Sequence, residues 1–520
     1  MFLLALFLAA ISLLHFLATK SSKNGGKSRW LDPRPPGPKG LPFLGNLHQF
    51  DPIKTHLYFF KLSKIYGPLV YLKLGFVPTI VVSSPKLAKE VLKTQDHVFC
   101  SRPTFVGQQK LSYNGIDLAF SPYNEYWREM RKICVVHLFS SKRVQSFSSI
   151  REEEVCRMMS IISSLSSESK LVDLSELLMS LASSIICRIC FHKGNRDDER
   201  SNEFSTSRFQ GLLHETQAML TAFFFSDYLP YMGWVDKING ASSKLEKVFW
   251  ELDEFCQEII STRLDSHKQK SEQQQDIVDV LLQLLEEHKV PFDLTLDHIK
   301  ALLMNIFVAG TDTNAATVVW TMTELMKNPH VMKKVQEEVR KLIKEQECRA
   351  TFIQEDQLHH LIYLKAVVKE TFRLHPPSPL LVPRQTMQKC TLGGYQIDQG
   401  TLVFVNAVAI GRDPESWDNP ETFLPERFLG SPNHIDYKGQ DFKLIPFGGG
   451  RRGCPGMLLG VTTIELALAN LLCFFDWELP ASMKKEDIGM DTLPGITAHK
   501  KKALCLSATN FIGLQQMLHQ

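Results

Sequence analysis

The sequence predicts a mainly α-helical protein with a small β lobe, an α+β chain that carries one N-terminal transmembrane helix. Apolar residues recur every three or four positions through most of the 520 residues, and alternating β-branched segments occur near residue 70 and again near residue 405. The first 18 residues are apolar and uncharged. A hydrophobic fraction of 44% excludes a disordered chain, and a net charge of +3 gives no sign of a nucleic-acid-binding surface.

Residues 1–19 are predicted to form a membrane anchor. As a helix, the stretch from Met1 to Ala18 is about 27 Å long, which is enough to cross a bilayer core once. A cleaved signal peptide is the alternative, but no basic residue precedes the apolar run and no small-x-small cleavage pattern follows it. The basic residues that come next favour a cytosolic position for the rest of the chain: Lys20, Lys23, Lys27 and Arg29.

Residues 20–45 are basic and rich in proline, which predicts a stiff linker, and residues 46–520 are expected to form one globular domain. Residues 69–84 and 401–410 have the composition of strands in a small sheet. Helical periodicity predicts helices at 151–165, 244–264, 330–346 and 361–374, and polar composition predicts loops at 193–202 and 266–275.

A glycine-rich loop around Cys454 is the strongest local pattern, and its glycines allow a first interpretation. Gly448, Gly450 and Gly453 satisfy G-x-G-x-x-G after a possible strand and before a helix, as in a dinucleotide-binding site. The motif begins about seventy residues from the C-terminus, however, which leaves little chain for the parallel strands of that fold. Pro455 also removes a backbone donor from the start of the helix.

The second interpretation makes Cys454 a thiolate ligand of a metal in a flat macrocycle. Gly450 and Gly456 would allow the backbone to approach the macrocycle closely, and Phe447 would cover the sulfur. Arg452 could pair with a carboxylate of the cofactor. A buried and inert cysteine is the simpler alternative for a lone thiol.

A polar notch interrupts the long apolar helix predicted over residues 296–327. Asp312 is the one charged residue between Ala301 and Thr323, and Gly310 costs a helix interior about 1 kcal/mol relative to alanine. Several neighbouring polar residues make the segment too polar for a second membrane span, so a central core helix is predicted. The notch either forms a site or is structural, with Thr313 bonded to the preceding turn and Asp312 capping a neighbouring segment.

The motif FGGGRRGCPG fits F-x-x-G-x-R-x-C-x-G, and the chain resembles plant microsomal cytochrome P-450 monooxygenases of the A-type, haem-thiolate group. The resemblance extends from the anchor to the C-terminus and includes AGTDT, KETFRLHPP and PERF. It implies the cytochrome P-450 fold, with haem b held by Cys454 as the axial ligand of its iron.

The resemblance also implies a reaction and partners. One oxygen atom from O2 is inserted into a lipophilic small molecule of plant specialised metabolism, such as a terpenoid, phenylpropanoid, alkaloid or aldoxime. Electrons come from NADPH through the flavins of a separate NADPH-cytochrome P-450 reductase, with cytochrome b5 as a further partner. The protein is expected at the endoplasmic reticulum membrane, and its catalytic domain, residues 46–520, in the cytosol. The alternatives are a haem-thiolate isomerase or dehydratase that uses no external O2, and a non-catalytic haem protein.

The resemblance assigns roles to individual residues. Thr313 hydrogen-bonds dioxygen and Asp312 relays protons, while Ala309 and Gly310 leave room for dioxygen. It assigns a clamp for the haem propionates to Trp127, Arg131, Arg384 and Arg452, and a network that supports the Cys454 loop to Glu370, Arg373 and Arg427. It places a substrate pocket at Asn305, Ala309, Val382 and Ile496. It also suggests a basic docking surface formed by Arg128, Lys132 and Arg451.

Overall fold

A computed structural model describes residues 34–191, 199–265, 275–288, 290–345, 352–430 and 435–511. The predicted anchor, residues 1–19, and most of the predicted linker lie outside the described residues. So do nearly all residues of the loop predicted at 266–275.

The described chain is mostly helical, as predicted. The four helices predicted from periodicity are confirmed, and the helix after the loop at 193–202 begins inside that segment, at Glu199. The α-helices are, in chain order, α1 (Thr55–Tyr66), α2 (Pro85–Lys89), α3 (Asp96–Phe99), α4 (Val106–Leu111), α5 (Glu125–Ile133), α6 (Ser141–Ser146), α7 (Ser148–Ser167), α8 (Leu174–Phe191), α9 (Glu199–Leu220), α10 (Phe225–Tyr228), α11 (Gly233–Ile238), α12 (Ala241–Asp265), α13 (Ile277–Glu286), α14 (Leu296–Lys327), α15 (Pro329–Glu345), α16 (Ile362–Leu374), α17 (Ala407–Gly411) and α18 (Met457–Phe474).

The strands form small sheets. Their bounds are β1 (Leu69–Leu74), β2 (Val77–Val82), β3 (Val172–Asp173), β4 (Arg384–Gln385), β5 (Cys390–Leu392), β6 (Tyr395–Ile397), β7 (Leu402–Val405), β8 (Phe475–Glu478) and β9 (Cys505–Asn510). The largest sheet has the order β1-β2-β7-β4, with β1 and β2 antiparallel and β2 and β7 parallel. The other sheets are β3-β9-β8 and the hairpin β5-β6.

The first half of the strand predicted at 401–410 is a strand in the structure, and the second half is a short helix. Strand β7 ends at Val405, because the Asn406 side chain then accepts a hydrogen bond of 3.1 Å from the backbone N–H of Ala409 and caps α17. Asparagine as a helix N-cap thus overrides the β-branched composition of the residues that follow.

Helix α14 lies in the centre of the fold, in contact with α8, α16 and α18. By length and composition, α8, α14 and α18 could each cross a membrane, but α14 and α18 are mostly buried within the protein and α8 is half buried. The prediction of a central core helix at 296–327 is therefore confirmed.

The dinucleotide interpretation of the loop around Cys454 does not fit this structure. Residues 441–449 run through turns into a 3₁₀ turn at Gly450–Arg452, so within the described residues no strand precedes Gly448. A dinucleotide site needs that strand to aim the glycine loop at a pyrophosphate group.

Candidate active site

A cavity of about 300 Å³ separates the loop at residues 446–456 from the middle of α14. We call these two sides the loop wall, residues 446–456, and the helix wall, residues 309–313. Cys454 stands on the loop wall and Thr313 on the helix wall, and both line the cavity. The side chain of Cys454 is open to this space although the residue lies deep within the fold.

The loop wall is shaped by its glycines. Gly448 and Gly450 have φ of 67° and 65°, a left-handed conformation that side chains disfavour. A Cβ atom at Gly450 would lie 2.0 Å from the carbonyl oxygen of Leu92. Gly450 therefore fits the loop against its support and does not line the cavity, in contrast to the prediction that it lies under the cofactor. Gly456 does line the cavity, and nothing lies within 4 Å of where its Cβ would be.

The backbone of Cys454 is held by its neighbours in the loop. Its N–H donates to the carbonyl of Phe447 at 3.0 Å, and Phe447 packs edge-on against Phe372. Burial raises the pKa of the Cys454 thiol, against a smaller lowering by a hydrogen bond from the Gly456 N–H and by Arg131. Ionisation of this thiol to the thiolate therefore needs a further positive partner, which a metal ion would supply.

Four guanidinium groups line the same cavity, those of Arg102, Arg131, Arg384 and Arg452. Arg452 donates to the carbonyls of Cys100, Leu118 and Ser121, and Arg131 donates to the carbonyl of Gly453 at 2.8 Å. Burial and the neighbouring Arg384 lower the pKa of Arg452 to about 9. Burial also lowers the pKa of Arg102, Arg131 and Arg384.

Little negative charge balances these arginines. Arg384 pairs with Asp96 at 3.1 Å. Among the described residues, the other carboxyl group near the cluster is Asp117, whose pKa burial raises to about 6. The wall of the cavity therefore carries surplus buried positive charge, which an anionic ligand would neutralise.

On the helix wall, Thr313 donates its hydroxyl to the carbonyl of Ala309 at 2.7 Å, which is the bond to the preceding turn considered from the sequence. Asp312 is buried and does not line the cavity. Its carboxylate accepts a hydrogen bond from Gln217 of α9 and lies 3.2 Å from Nε2 of His499. A Cβ atom at Gly310 would lie 2.5 Å from the side chain of Ile186, so this glycine also lets α8 approach α14.

The family model described as Cytochrome P450 matches residues 35–506. The chain belongs to the cytochrome P450 family. The 6,7,8-trihydroxycoumarin synthase of Pastinaca sativa is 48% identical over 485 residues, which cover 92% of this chain and 93% of that protein. Cytochrome P450 71A9 of Glycine max is 47% identical, with 92% of this chain and 93% of that protein covered. For the strychnine-11-hydroxylase of Strychnos nux-vomica the identity is 45%, and 93% of each chain is covered.

A solved structure of a zebra fish cytochrome P450 with abiraterone has the same fold. The TM-score is 0.72 and the sequence identity 27%, and the match covers 88% of this chain and 98% of that chain. The predicted cytochrome P450 fold is thereby confirmed, and the family implies haem binding and monooxygenase chemistry.

The residues of this P450 fit haem. Two cysteines line the cavity, and Cys454 has the exposed thiol whereas Cys134 is buried. The guanidinium groups of the cavity match the two propionates of haem in charge. Trp127 also lines the cavity, and the centroid of its ring lies 4.0 Å from the guanidinium carbon of Arg452. The indole N–H of Trp127 donates to the carbonyl of Leu118. The sequence does not predict Arg102, because nothing in its local surroundings distinguishes it from a surface arginine.

The network predicted to support the loop is present. Arg373 binds both oxygens of Glu370 at 2.8 Å, and Arg427 binds the same carboxylate at 3.1 Å. Arg373 also donates to the carbonyls of Gly411 and Pro420, and the side chains of Glu370 and Arg373 have no exposed surface. The network thus ties α16 to the segment that leads to the loop wall.

The four residues predicted for the substrate pocket line the cavity: Asn305, Ala309, Val382 and Ile496. The amide of Asn305 is already engaged, however. Its oxygen accepts from the N–H groups of Leu118 and Ala119 at 3.0 Å, and its nitrogen donates to Asp117 at 2.7 Å. Asn305 therefore positions the loop above α14, and its polar atoms are not free to bind a substrate.

Proposed function

We propose that this P450 inserts one oxygen atom of O2 into a lipophilic, polycyclic metabolite of the coumarin or alkaloid type, with NADPH electrons delivered by a separate reductase. One observation carries the proposal: a cysteine thiol and a threonine line the same mostly apolar cavity, whose wall carries surplus positive charge. Haem bound there supplies the activation of dioxygen.

Cys454 would hold the haem iron through its sulfur, and Arg102, Arg131, Arg384 and Arg452 would bind the propionates. The Thr313 hydroxyl oxygen can accept a hydrogen bond from a molecule in the cavity while it donates to Ala309. Asp312 lies one residue away, does not line the cavity and is in contact with the partly exposed His499, so it can receive protons from outside the cavity and pass them to the Thr313 side through water.

The substrate class follows from the lining of the cavity. Its exposed surface is mostly apolar, with Leu302, Val308, Leu381, Val382 and Ile496 among the side chains that face it. Since the amide of Asn305 is engaged, few groups remain to orient a polar substrate. This favours a compact, weakly polar ring system, and the names of the relatives, a trihydroxycoumarin synthase and a strychnine hydroxylase, support that class.

The docking of a reductase is part of this proposal, and the charges near the loop wall give it modest support. The basic side chains Arg128, Lys132 and Arg451 are well exposed, but each contacts a carboxylate: Glu125 at 3.3 Å, Glu129 at 3.5 Å and Asp96 at 3.3 Å. Their net field on an acidic partner is correspondingly reduced.

We also propose that the domain rests on the cytosolic face of the endoplasmic reticulum membrane. Exposed aromatic side chains lie together on one surface: the ring centroids of Phe43 and Phe76 are 6.5 Å apart, and those of Phe76 and Tyr231 are 6.4 Å apart. Trp234 and Ile238 of α11, which follows Tyr231 in the chain, are exposed as well. Such a patch suits the interface of a bilayer.

The test uses the full chain in membranes with a plant NADPH-cytochrome P450 reductase. Coumarins, alkaloids, terpenoids and aldoximes are supplied in turn, and uptake of O2 and NADPH is measured together with incorporation of ¹⁸O from ¹⁸O2. We expect one labelled oxygen atom per product and NADPH for a coumarin or alkaloid. Product formed without uptake of O2 would instead indicate the isomerase or dehydratase.

A further inference from the structure

The carboxylate of Asp312 lies at a junction of three elements. Helix α14 carries it, Gln217 of α9 donates to its Oδ2, and Nε2 of His499 lies 3.2 Å from the same oxygen. Only 7% of Asp312 is exposed, and the cavity is lined by Gly310 and Thr313 on either side of it but not by Asp312 itself. The two partners are therefore the nearest groups through which a proton can reach this mostly buried carboxylate.

His499 lies between that carboxylate and bulk water. Its side chain is 26% exposed, while Asp312 behind it is buried. The backbone around His499 is tied to the rest of the fold: the carbonyl of His499 accepts from the N–H of Leu493 at 2.8 Å, and the carbonyl of the preceding Ala498 accepts from the indole N–H of Trp320 at 2.7 Å. The backbone that carries the imidazole is therefore anchored to the core.

The two partners of Asp312 differ in chemistry. The amide of Gln217 can donate a hydrogen bond but cannot give up its proton, whereas an imidazole exchanges protons with water near neutral pH. Among the contacts of the described residues, Asp312 is the charged group that His499 touches, and α9 presents only the neutral amide of Gln217 to the same oxygen.

We propose that His499 is the positioning residue through which protons from water reach Asp312. This rests on the proposed function of Asp312. A proton from solvent first binds Nδ1 of the neutral His499 ring, and the resulting imidazolium gives its Nε2 proton to Oδ2 of Asp312. The ring, now protonated on Nδ1, returns to its starting form by losing that proton to water and taking one up on Nε2. The carboxyl group then releases the proton to the Thr313 side of the helix wall. Each transfer moves one proton and leaves both side chains as they began; the electrons come from the reductase.

The decisive variant is His499→Gln, because glutamine keeps a donor for Asp312 but cannot relay a proton. His330→Gln, an exposed histidine of α15, is the matched control. With the coumarin or alkaloid of the panel that is turned over as the probe, we expect His499→Gln to lower product per NADPH about tenfold and to raise peroxide release, since a positioned acid typically contributes at least that much. His330→Gln should match the wild type.

A second measurement does not depend on turnover. In the full chain labelled with [¹⁵N]histidine, we expect one imidazole with its proton on Nε2, a signal that disappears in His499→Gln and shifts in Asp312→Asn. Absence of that signal, or wild-type coupling in His499→Gln with an unchanged melting temperature, would overturn the proposal. If Asp312→Asn uncouples and His499→Gln does not, only the relay fails; if neither uncouples, the function proposed for Asp312 fails as well.

Discussion

The loop wall and the helix wall face one cavity but are held in different ways. On the loop wall, backbone carbonyls receive the contacts: Arg131 binds Gly453 and Arg384 binds Gly449, while Gly450 packs directly on the carbonyl of Leu92. On the helix wall, side chains from other elements meet side chains: Gln217 and His499 reach Asp312, and Ile186 reaches Gly310. We therefore expect the loop wall to be a rigid support for a ligand and the side-chain contacts of the helix wall to adapt more easily.

The largest expected effect removes the ligand from the loop wall. Cys454→Ser should abolish turnover and the absorption band of the reduced carbon monoxide complex that depends on sulfur ligation, because a hydroxyl is a poor ligand in place of a thiolate. Cys156→Ser, at an exposed cysteine, is the control and should leave both unchanged. A wild-type carbon monoxide spectrum in Cys454→Ser would show that the loop wall does not hold the metal.

A second test concerns the surplus positive charge of the loop side. The apoprotein should bind the dimethyl ester of iron protoporphyrin IX more weakly than the free acid by about 3 to 6 kcal/mol, because the two ester groups replace two charge-assisted hydrogen bonds of roughly 1.5 to 3 kcal/mol each. Competition between the two porphyrins, followed by absorbance, measures the difference. Equal affinity would mean that Arg102, Arg131, Arg384 and Arg452 do not bind propionates.

A third test weakens the support behind the loop wall. Glu370→Gln removes a carboxylate that neutralises Arg373 and Arg427, and leaving those buried charges unpaired should destabilise the fold by about 3 to 5 kcal/mol. Thermal unfolding and haem content per chain measure the effect. Glu337→Gln is the control, because Glu337 contacts Lys333 on an exposed helix face and such a pair contributes at most about 0.5 kcal/mol. Similar losses in both variants would contradict the supporting role.

The two walls also differ in how far the sequence predicts them. The loop wall is encoded in ten consecutive residues around Cys454, so its motif and ligand could be read without the fold. The helix wall depends on Gln217, His499 and Ile186, which lie about 95, 190 and 125 residues from the notch, and no local pattern marks them. The same limit explains Arg102, and it explains Asn305, whose amide binds a loop that only the tertiary structure brings over α14.

A fourth test compares glycines. Gly450→Ala should cost about 2 to 4 kcal/mol, because the left-handed conformation disfavours a Cβ atom and the carbonyl of Leu92, 2.0 Å away, belongs to the backbone and cannot rotate aside. Gly211→Ala on α9, where nothing lies within 4 Å, should instead stabilise the helix by up to about 1 kcal/mol. Denaturant unfolding of both variants measures the contrast, and a neutral Gly450→Ala would mean that the loop wall adapts.

The smallest expected effect tests whether the helix wall does adapt. In Gly310→Ala, the new Cβ meets the terminal methyl of Ile186 at 2.5 Å, but that methyl can rotate away, and alanine gains about 1 kcal/mol of helix propensity. We expect a net loss of about 1 kcal/mol or less in the free energy of unfolding. In the Ile186→Val background, which lacks that methyl, the same change should be neutral or stabilising. The two single variants and the double variant form a double-mutant cycle, in which relief by Ile186→Val would appear as an interaction energy between positions 186 and 310. A loss as large as that of Gly450→Ala, with no such interaction energy, would show that the helix wall is as rigid as the loop wall.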